Sequence, residues 1–449
     1  MKVRKIVPSR ALIIVLCCAL FVSGAVQPAF AQDAKRLERE RERGLQMLKG
    51  TKDLIKENYY DTGFHGIDLE TRFKAAEEKM KQADSLGQIF GIIAQAVVEL
   101  NDSHTYFVPP PRPVFIEYGW RMQMIGNDCY VIAVKQGSDA EAKGLKPGDM
   151  VLSVDGFKPT RETIWKMWYN YNLLRPTLGM RVVAQNPAGE QRQLDLKAEV
   201  VKTDRAVNIT QIRNEILDDE EDEKNRPIFY EVNSDVIIWK LRAFNITEGK
   251  VDDLMKTVRK HKALILDLRG NGGGYVKTLA RLVSYFFDKE INIAEVKRRK
   301  KTEQQKSRPR SADKVFTGNL TVLVDSQSGS AAEMFARVVQ LEKRGTVIGD
   351  RTAGAVMQSL FHTAMVTDAS SSNVVVFGVS ITDAEVILSD GKVLEHVGVM
   401  PDELKLPVAA DMSAGRDAVL SYAVALAGAT LAPEKASQLF PYQWTRMPN

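Results

Sequence analysis

Apolar and polar positions divide the chain into regions of different periodicity. Between residues 33 and 100 the apolar residues recur at helical spacing, as in ETRFKAAEEKMKQADSLGQIFGIIAQAVVEL. The segment NDSHTYFVPPPRP follows, and its prolines would end any helix. The pattern therefore predicts a helical N-terminal region, which we place at residues 32–113.

From residue 114 the pattern changes to short strands separated by turns. The segment YVIAVKQGSDAEAKGLKPGDMVLSVDG reads as an apolar strand, a short helix, a Gly-Leu-Lys-Pro-Gly-Asp turn and an alternating strand. This pattern predicts a small compact domain over residues 114–201.

The next region alternates apolar strands with amphipathic helices. VIIWKLRAF, ALILDLRG, TVLVD and TVIGD are strand-like, whereas VDDLMKTVRKHK and SAAEMFARVVQLEK have helical spacing. Alternation of this kind predicts a parallel sheet that is covered on both faces, here over residues 202–408. The basic segment at 296–310 is predicted to be a solvated loop, and residues 409–449 a helical tail.

The beginning of the chain is typical of an export signal. Four basic residues precede an uncharged apolar run of about 16 residues, which is short for a membrane span. Ala29-Phe30-Ala31 then fits the small-x-small pattern before a cleavage site. We therefore predict a signal peptide at residues 1–31, a periplasmic or extracellular location, and no stable membrane anchor after cleavage.

Charge and cysteine content exclude some functions. Removing the four basic residues of the signal would lower the formal net charge from +5 to about +1, so we expect no nucleic-acid partner. Cys129 is the only cysteine beyond residue 31. An exported protein with one cysteine has no internal disulfide, so its apolar cores must stabilise it.

The segment TVLVDSQSGSAAEMFA places Ser330 where a strand leads into a helix. With Glu333 three residues later, it fits a capping box, which alone would explain both residues. The same position also suits a nucleophile, because N–H groups at a helix start point outward without partners. An oxyanion formed at Ser330 would lie beside the Ala331 N–H.

A second segment could supply the other half of an oxyanion hole. LDLRGNGGG (266–274) is a strand followed by glycines, which allow backbone N–H groups to turn toward a ligand. It lacks the lysine of a P-loop and the spacing of a dinucleotide fingerprint.

Taken together, ALILDLRGNGGG, TVLVDSQSGSAAEMFA and VIGDRTAG resemble the S41 serine peptidases, the C-terminal processing proteases. The resemblance covers nearly the whole chain after the signal. It implies an α/β multidomain protein with a helical N-terminal region, a PDZ domain and a ClpP/crotonase-like α/β catalytic core. It also implies a serine endopeptidase that forms an acyl-enzyme, with Ser330 as nucleophile and without metal or nucleotide cofactors. Gly272 and Gly273 match the family's oxyanion loop, and the resemblance leaves open which of them donates.

The general base differs from that of the best-known branch of the family. That branch uses a lysine, but the chain reads Thr352-Ala353-Gly354-Ala355-Val356 there, and residues 344–391 contain no lysine. Because a serine hydroxyl needs a base at neutral pH, histidine is the natural alternative. The chain has five histidines, which are His65, His104, His261, His362 and His396.

A second branch suggests which histidine acts. The chain resembles the tricorn-protease core, in which a Ser-His pair precedes the PDZ domain and a glutamate lies in an E-x-x-G-V-x-P-D motif. Here the pair is Ser103-His104, and EHVGVMPD places Glu395 at the motif position. The resemblance implies His104 as base, oriented by Glu395 with Ser103 assisting, and His396 remains the alternative. An ionised Glu395 should raise the pKa of His104.

The PDZ resemblance predicts how substrate is recognised. A PDZ domain binds an extended C-terminus by strand addition, with a backbone loop around the carboxylate. The candidate loop is Tyr118-Gly119-Trp120-Arg121, although Trp120 also fits a core position. Protein or peptide substrates are therefore the expected partners, and the oligomeric state stays open.

Two other functions remain possible on the same fold. One is a pseudoprotease scaffold whose PDZ domain binds tails, which the missing lysine would favour if His104 were misplaced. The other is a module for apolar ligands, as in the retinoid-binding repeats that this core also resembles.

Overall fold

The computed structural model describes residues 11–202, 228–367 and 374–444. Of the predicted signal peptide, residues 1–10 lie outside this part, and residues 11–31 are described only as backbone of the first helix. Within the described ranges, no helix carries an apolar stretch long enough to cross a membrane.

The N-terminal region consists of helices that bury one face. In the third helix Ile89, Ile93 and Val97 repeat at a spacing of four and are all buried. Ser85 caps this helix, because its side chain accepts a hydrogen bond from the N–H of Gln88. The elements of this region are α1 (Ala11–Asn58), α2 (Leu69–Lys81), α3 (Leu86–Val98) and strand β1 (Tyr106–Val108).

Residues 114–202 form an antiparallel sheet with its own apolar core, which includes Met122, Val131, Val151 and Val182. The strand order β3-β4-β5-β6-β7 leaves β3 at one edge, and a separate pair, β2 and β8, brings the chain in and out. The elements are β2 (Val114–Glu117), β3 (Trp120–Ile125), β4 (Asp128–Val134), α4 (Asp139–Ala142), β5 (Met150–Val154), α5 (Ile164–Tyr169), β6 (Gly179–Gln185), β7 (Gln191–Lys197) and β8 (Glu199–Lys202).

The third part contains two further sheets. The six-stranded sheet has the order β18-β15-β14-β11-β10-β9 and is parallel except for β9. The elements are β9 (Ile228–Glu231), β10 (Val236–Lys240), α6 (Glu248–Val258), β11 (Ala263–Asp267), α7 (Val276–Val283), β12 (Asn292–Arg298), β13 (Thr302–Lys306), β14 (Asn319–Val324), α8 (Ala331–Leu341), β15 (Thr346–Gly349), β16 (Met357–Thr367), β17 (Val374–Leu388) and β18 (Glu403–Leu404). The tail adds α9 (Ala409–Ser413), α10 (Ala418–Leu426) and α11 (Pro433–Leu439).

The six-stranded sheet is buried on both faces, as its continuous apolar strands predict. Along β10, Ile237 and Trp239 face the core that α6, α7 and α8 cover, whereas Val236 and Ile238 face α10 and α11. This alternation follows from the two-residue period of a strand. Because parallel strands end at the same edge, the loops after β11 and β14 lie side by side.

The other sheet contains β1, β17, β12 and β13 in that order, with β16 on β17. It packs against α1–α3 through residues such as Phe107 and Phe377. The solvated loop predicted for 296–310 is wrong over much of its length, since β12 and β13 form an antiparallel hairpin there. Charged residues of this hairpin lie opposite uncharged partners on the other strand, for example Lys297 opposite Thr302 and Glu303 opposite Val296. A charge count alone does not reveal this pairing.

A buried ion pair joins the small sheet domain, residues 114–202, to the loop after β15. Arg161 donates to the Asp350 carboxylate (2.7 Å) and to the carbonyl oxygens of Gly126 (2.8 Å) and Arg351 (3.0 Å). The side chains of Arg161 and Asp350 are only 14% and 5% exposed. The pair therefore fixes one part of the chain against another at the base of the loop that leads to residue 355.

We expect Arg161→Ala to lower the free energy of unfolding by about 3–5 kcal/mol, because it leaves a buried carboxylate without its partner. Arg181→Ala is the matched control, since Arg181 pairs with Asp195 on the exposed surface and should change the stability far less than Arg161→Ala does. Chemical denaturation of the three proteins measures the difference. Equal losses in the two variants would show that the Arg161 pair does not hold the domain.

Candidate active site

Ser330 lies at the start of α8 in a strained backbone conformation. Its φ of 49° and ψ of −116° are unusual for a residue with a side chain. The surrounding contacts hold this conformation, because the Ser330 N–H points to the carbonyl oxygen of Ala355 (2.9 Å) and to the Glu333 carboxylate (3.1 Å). The strain turns the side chain of Ser330 away from the regular path of strand and helix.

The glycine loop after β11 lies directly against Ser330. A Cβ added to Gly273 would come within 2.6 Å of the Ser330 Cβ, so only glycine fits there. The N–H of Gly273 donates to the Asn271 side chain (2.8 Å), whereas the N–H of Gly272 has no acceptor in the part of the chain that the structure describes. Of the two candidate glycines, Gly272 is therefore the one whose N–H has no partner among the described residues. The glycine loop adjoins the start of α8, since a Cβ on Gly273 would lie 3.0 Å from the Ala331 nitrogen.

Ser103, His104 and Glu395 meet although 292 residues separate Ser103 from Glu395. The Glu395 carboxylate accepts from the Ser103 N–H (2.6 Å) and from Ser103 Oγ (3.0 Å). Ser103 Oγ lies 2.7 Å from His104 Nδ1. Because the single hydroxyl proton of Ser103 goes to the carboxylate, its oxygen accepts from Nδ1–H. This assignment leaves the lone pair of His104 on Nε2.

Asp102, which the sequence analysis did not single out, holds the backbone next to the Ser103-His104 pair. The Asp102 carboxylate accepts from the N–H groups of His104 (2.9 Å) and Thr105 (2.7 Å), and from the hydroxyls of Tyr59 (2.9 Å) and Thr382 (2.6 Å). Asp102 is 4% exposed. Its place directly before Ser103-His104, where an aspartate often caps a turn, was the available signal.

The pKa of His104 lies below its ordinary value of 6.5, because burial disfavours the charged imidazolium. The negative charges of Glu395 and Asp102 act in the opposite direction but do not outweigh the burial. The upward effect expected of Glu395 is therefore confirmed in sign, but desolvation outweighs it and sets the direction of the shift.

Two consecutive residues connect this group to Ser330. The Val356 N–H donates to Glu395 Oε2 (2.8 Å), and the carbonyl of the preceding Ala355 accepts from the Ser330 N–H. Ala355 is the residue that stands in place of the family lysine, so that position does lie beside the nucleophile candidate. The alternative base, His396, is 55% exposed in its side chain and its Nε2 lies 2.8 Å from the Asn101 carbonyl oxygen.

Glu333 is buried next to Ser330 and accepts several hydrogen bonds. Besides the Ser330 N–H, its carboxylate accepts from the N–H groups of Gly354 (2.8 Å) and Ala355 (2.9 Å) and from the Thr352 hydroxyl. Burial raises the pKa of Glu333 to about 7, although these four donors oppose the shift. The carboxylate thus holds the start of α8 against the 352–355 segment.

The four residues of the predicted substrate loop, Tyr118 to Arg121, differ in burial and in their contacts. The side chains of Tyr118 and Trp120 are each 2% exposed and belong to the domain core, so they do not face a ligand. The N–H of Gly119 donates to the Glu117 carboxylate (3.0 Å). Arg121 pairs with the same carboxylate (3.0 Å) and alone among the four predicted residues extends a side chain from the core.

We expect Glu333→Gln to lower the free energy of unfolding by about 1–3 kcal/mol, because the amide NH₂ would face donors where oxygen now accepts. The loss should be larger at pH 5 than at pH 8. The raised pKa of Glu333 means that the fold loses stability as pH rises from 4.5 toward 7, and the glutamine variant lacks this loss. Denaturant titrations of both proteins at the two pH values test this. A loss independent of pH would contradict the assigned pKa.

Comparisons with known proteins agree with this architecture. Residues 235–404 match Peptidase family S41. The chain is 25% identical over 298 residues to the carboxy-terminal processing protease CtpA of Bacillus subtilis, covering 64% of this chain and 57% of that protein. It is 24% identical over 249 residues to a probable CtpA-like serine protease of Staphylococcus saprophyticus, covering 54% of this chain and 45% of that protein. The matches thus span about half the length of these curated relatives.

A solved structure extends the likeness beyond the matched region. Mature CPAF complexed with lactacystin aligns with a TM-score of 0.61, covering 89% of this chain and 99% of that chain. The identity is 15%, so this likeness concerns the fold. The family match over residues 235–404 and the CtpA-like relatives confirm the S41 resemblance that the sequence motifs carry.

Proposed function

We propose that this protein is a serine endopeptidase that cleaves unfolded proteins or protein tails, with Ser330 as nucleophile and His104 as general base. The observation that carries the proposal is the Ser103 bridge, in which one hydroxyl links the Glu395 carboxylate to His104 Nδ1. A carboxylate that fixes the imidazole tautomer in this way is the logic of the serine triad. The names of the CtpA relatives, which are proteases, support the same reaction.

The reaction would proceed through an acyl-enzyme. Ser330 Oγ attacks the substrate carbonyl carbon while its proton moves to His104 Nε2. The N–H groups of Gly272 and Ala331 stabilise the oxyanion, and His104 then gives the proton to the leaving amine. A water molecule, deprotonated by His104, attacks the ester and releases Ser330. Glu395 stabilises the imidazolium through Ser103 in both steps.

We further propose that residues 114–201 act as a PDZ-type substrate domain and that the protein is exported after loss of residues 1–31. The five-stranded antiparallel sheet with its edge strand β3 beside α5 supports the first point, because strand addition needs a free edge. The basic and apolar beginning of the chain supports the second. Polypeptide chains with exposed backbone are then the natural substrates.

Ser330→Ala should lower the rate of casein hydrolysis by about 10⁴ to 10⁶, because the residues of a triad act as a unit. His104→Ala should be nearly as damaging. Ser311→Ala, an exposed serine outside the site, should leave the rate unchanged. Circular dichroism checks that each variant is folded. Unchanged turnover in folded Ser330→Ala would refute the nucleophile, and an inactive wild-type protein that still binds peptides would favour a pseudoprotease scaffold.

The pH dependence separates histidine from lysine as base. A protonated His104 cannot accept the Ser330 proton, so kcat/KM should rise with pH through a midpoint below 6.5, since burial lowers this pKa. Glu395→Gln should reduce kcat and move the midpoint further toward acid, because the charge of Glu395 raises the pKa. Profiles of kcat/KM on a fluorogenic peptide measure both. A midpoint well above neutrality that does not change in Glu395→Gln would indicate an amine as the general base.

A further inference from the structure

Arg121 on the edge strand β3 is surrounded by aromatic rings from distant parts of the chain. Its guanidinium lies 5.7 Å from the ring centre of Trp168, 5.8 Å from that of Tyr442 and 4.9 Å from that of Trp444. Its Nε also donates to the Tyr442 hydroxyl (3.1 Å). These distances are within the range of cation–π attraction. Trp168 comes from α5 of the same domain, whereas Tyr442 and Trp444 come from the tail.

The tail reaches this place just after α11, which packs on the six-stranded sheet. Tyr442 and Trp444 are two residues apart and bring their rings to the same guanidinium. Their rings lie 4.9 Å apart at 62° and both face Arg121. Tyr442 remains 45% exposed. The contact is therefore a surface association that can be exchanged without opening a core.

The neighbourhood of Arg121 disfavours a terminal carboxylate. Glu117, whose side chain is 5% exposed, pairs with Arg121 and accepts the Gly119 N–H. A peptide carboxylate would thus meet a negative charge and a donor that is already used. The planar guanidinium keeps a face that an aromatic ring can cover. The chemistry of the surface fits aromatic side chains rather than a chain end.

We propose that Glu117, Arg121 and Trp168, the Arg121 site, recognise an aromatic-x-aromatic motif in extended polypeptides, and that Tyr442 and Trp444 occupy this site as an intramolecular competitor. The proposal rests on the proposed function in that the recognised polypeptides would be its substrates. It replaces the expectation that the loop from Tyr118 to Arg121 binds a C-terminal carboxylate. A tethered competitor has an effective concentration in the millimolar range, so substrates must displace the tail to bind.

The test measures binding without turnover. The full chain carrying Ser330→Ala is titrated by calorimetry with the peptide LFPYQW, which repeats residues 439–444, blocked at both ends. Adding Tyr442→Ala and Trp444→Ala should lower the apparent Kd about tenfold, because the competitor is removed. The peptide LFPAQA should bind neither protein. A free carboxylate on LFPYQW should give no tighter binding than the amide.

Two further variants make the result specific. Arg121→Lys keeps a charge for Glu117 but loses the planar stacking group. In the variant that also carries Tyr442→Ala and Trp444→Ala, it should therefore weaken binding of LFPYQW. Phe157→Ala, which removes an exposed ring from the same domain, should change nothing. Equal Kd values with and without the tail rings, equal binding of LFPAQA, or full binding by folded Arg121→Lys would each overturn the proposal. Because this test does not measure hydrolysis, such a result would not contradict the peptidase proposal. Conversely, a loss of hydrolysis without a change in peptide binding would not contradict the Arg121 site.

Discussion

The candidate site depends on the carboxylate of Glu395, which is placed where three parts of the chain meet. The side chain is 9% exposed and accepts hydrogen bonds from the backbone and hydroxyl of Ser103 and from the backbone of Val356. A buried carboxylate is costly unless donors surround it, so its donors are held as firmly as it is. The N-terminal helical region thereby delivers His104 to an α/β core that it does not belong to in sequence.

A second buried carboxylate, Glu333, positions Ser330 in a similar way. It holds the N–H of Ser330 and the 354–355 backbone together, and so keeps Ser330 in its strained conformation. The capping-box and nucleophile interpretations of Ser330 and Glu333 are therefore compatible. The cap stabilises the helix start, and the same helix start offers the Ala331 N–H to an oxyanion. Ala355 leaves no amine at this position, which makes a histidine from elsewhere necessary for a serine mechanism.

The domain of residues 114–202 contacts the loop that leads to Ser330. From β3, Gln123 donates to Asp325 (2.8 Å), and the carbonyl of Met124 accepts from Ser326. Asp325 also accepts from the N–H of Gly270 (2.9 Å), at the start of the glycine loop. The strand that carries Arg121 therefore contacts the Asp325–Ser326 segment directly, and Asp325 in turn contacts the glycine loop at Gly270.

Local sequence patterns determined much of this protein. The apolar runs of the six-stranded sheet, the helix after Ser330, the glycine loop and the Ser-His pair are all readable because they depend on residues close in sequence. The region that matches family S41, residues 235–404, contains the glycine loop and Ser330. Where a charge count replaced periodicity, as in the hairpin of β12 and β13, the interpretation failed, since strand pairing depends on a partner that composition does not show.

Only the tertiary structure decided the details on which chemistry depends. Desolvation set the direction of the His104 pKa, and the Asn271 side chain, by occupying the N–H of Gly273, left Gly272 as the free donor. Burial removed Trp120 from the surface, and the tail brought Tyr442 to Arg121 across 321 residues. These outcomes depend on burial and on hydrogen bonds between distant segments, and no local periodicity encodes either of them.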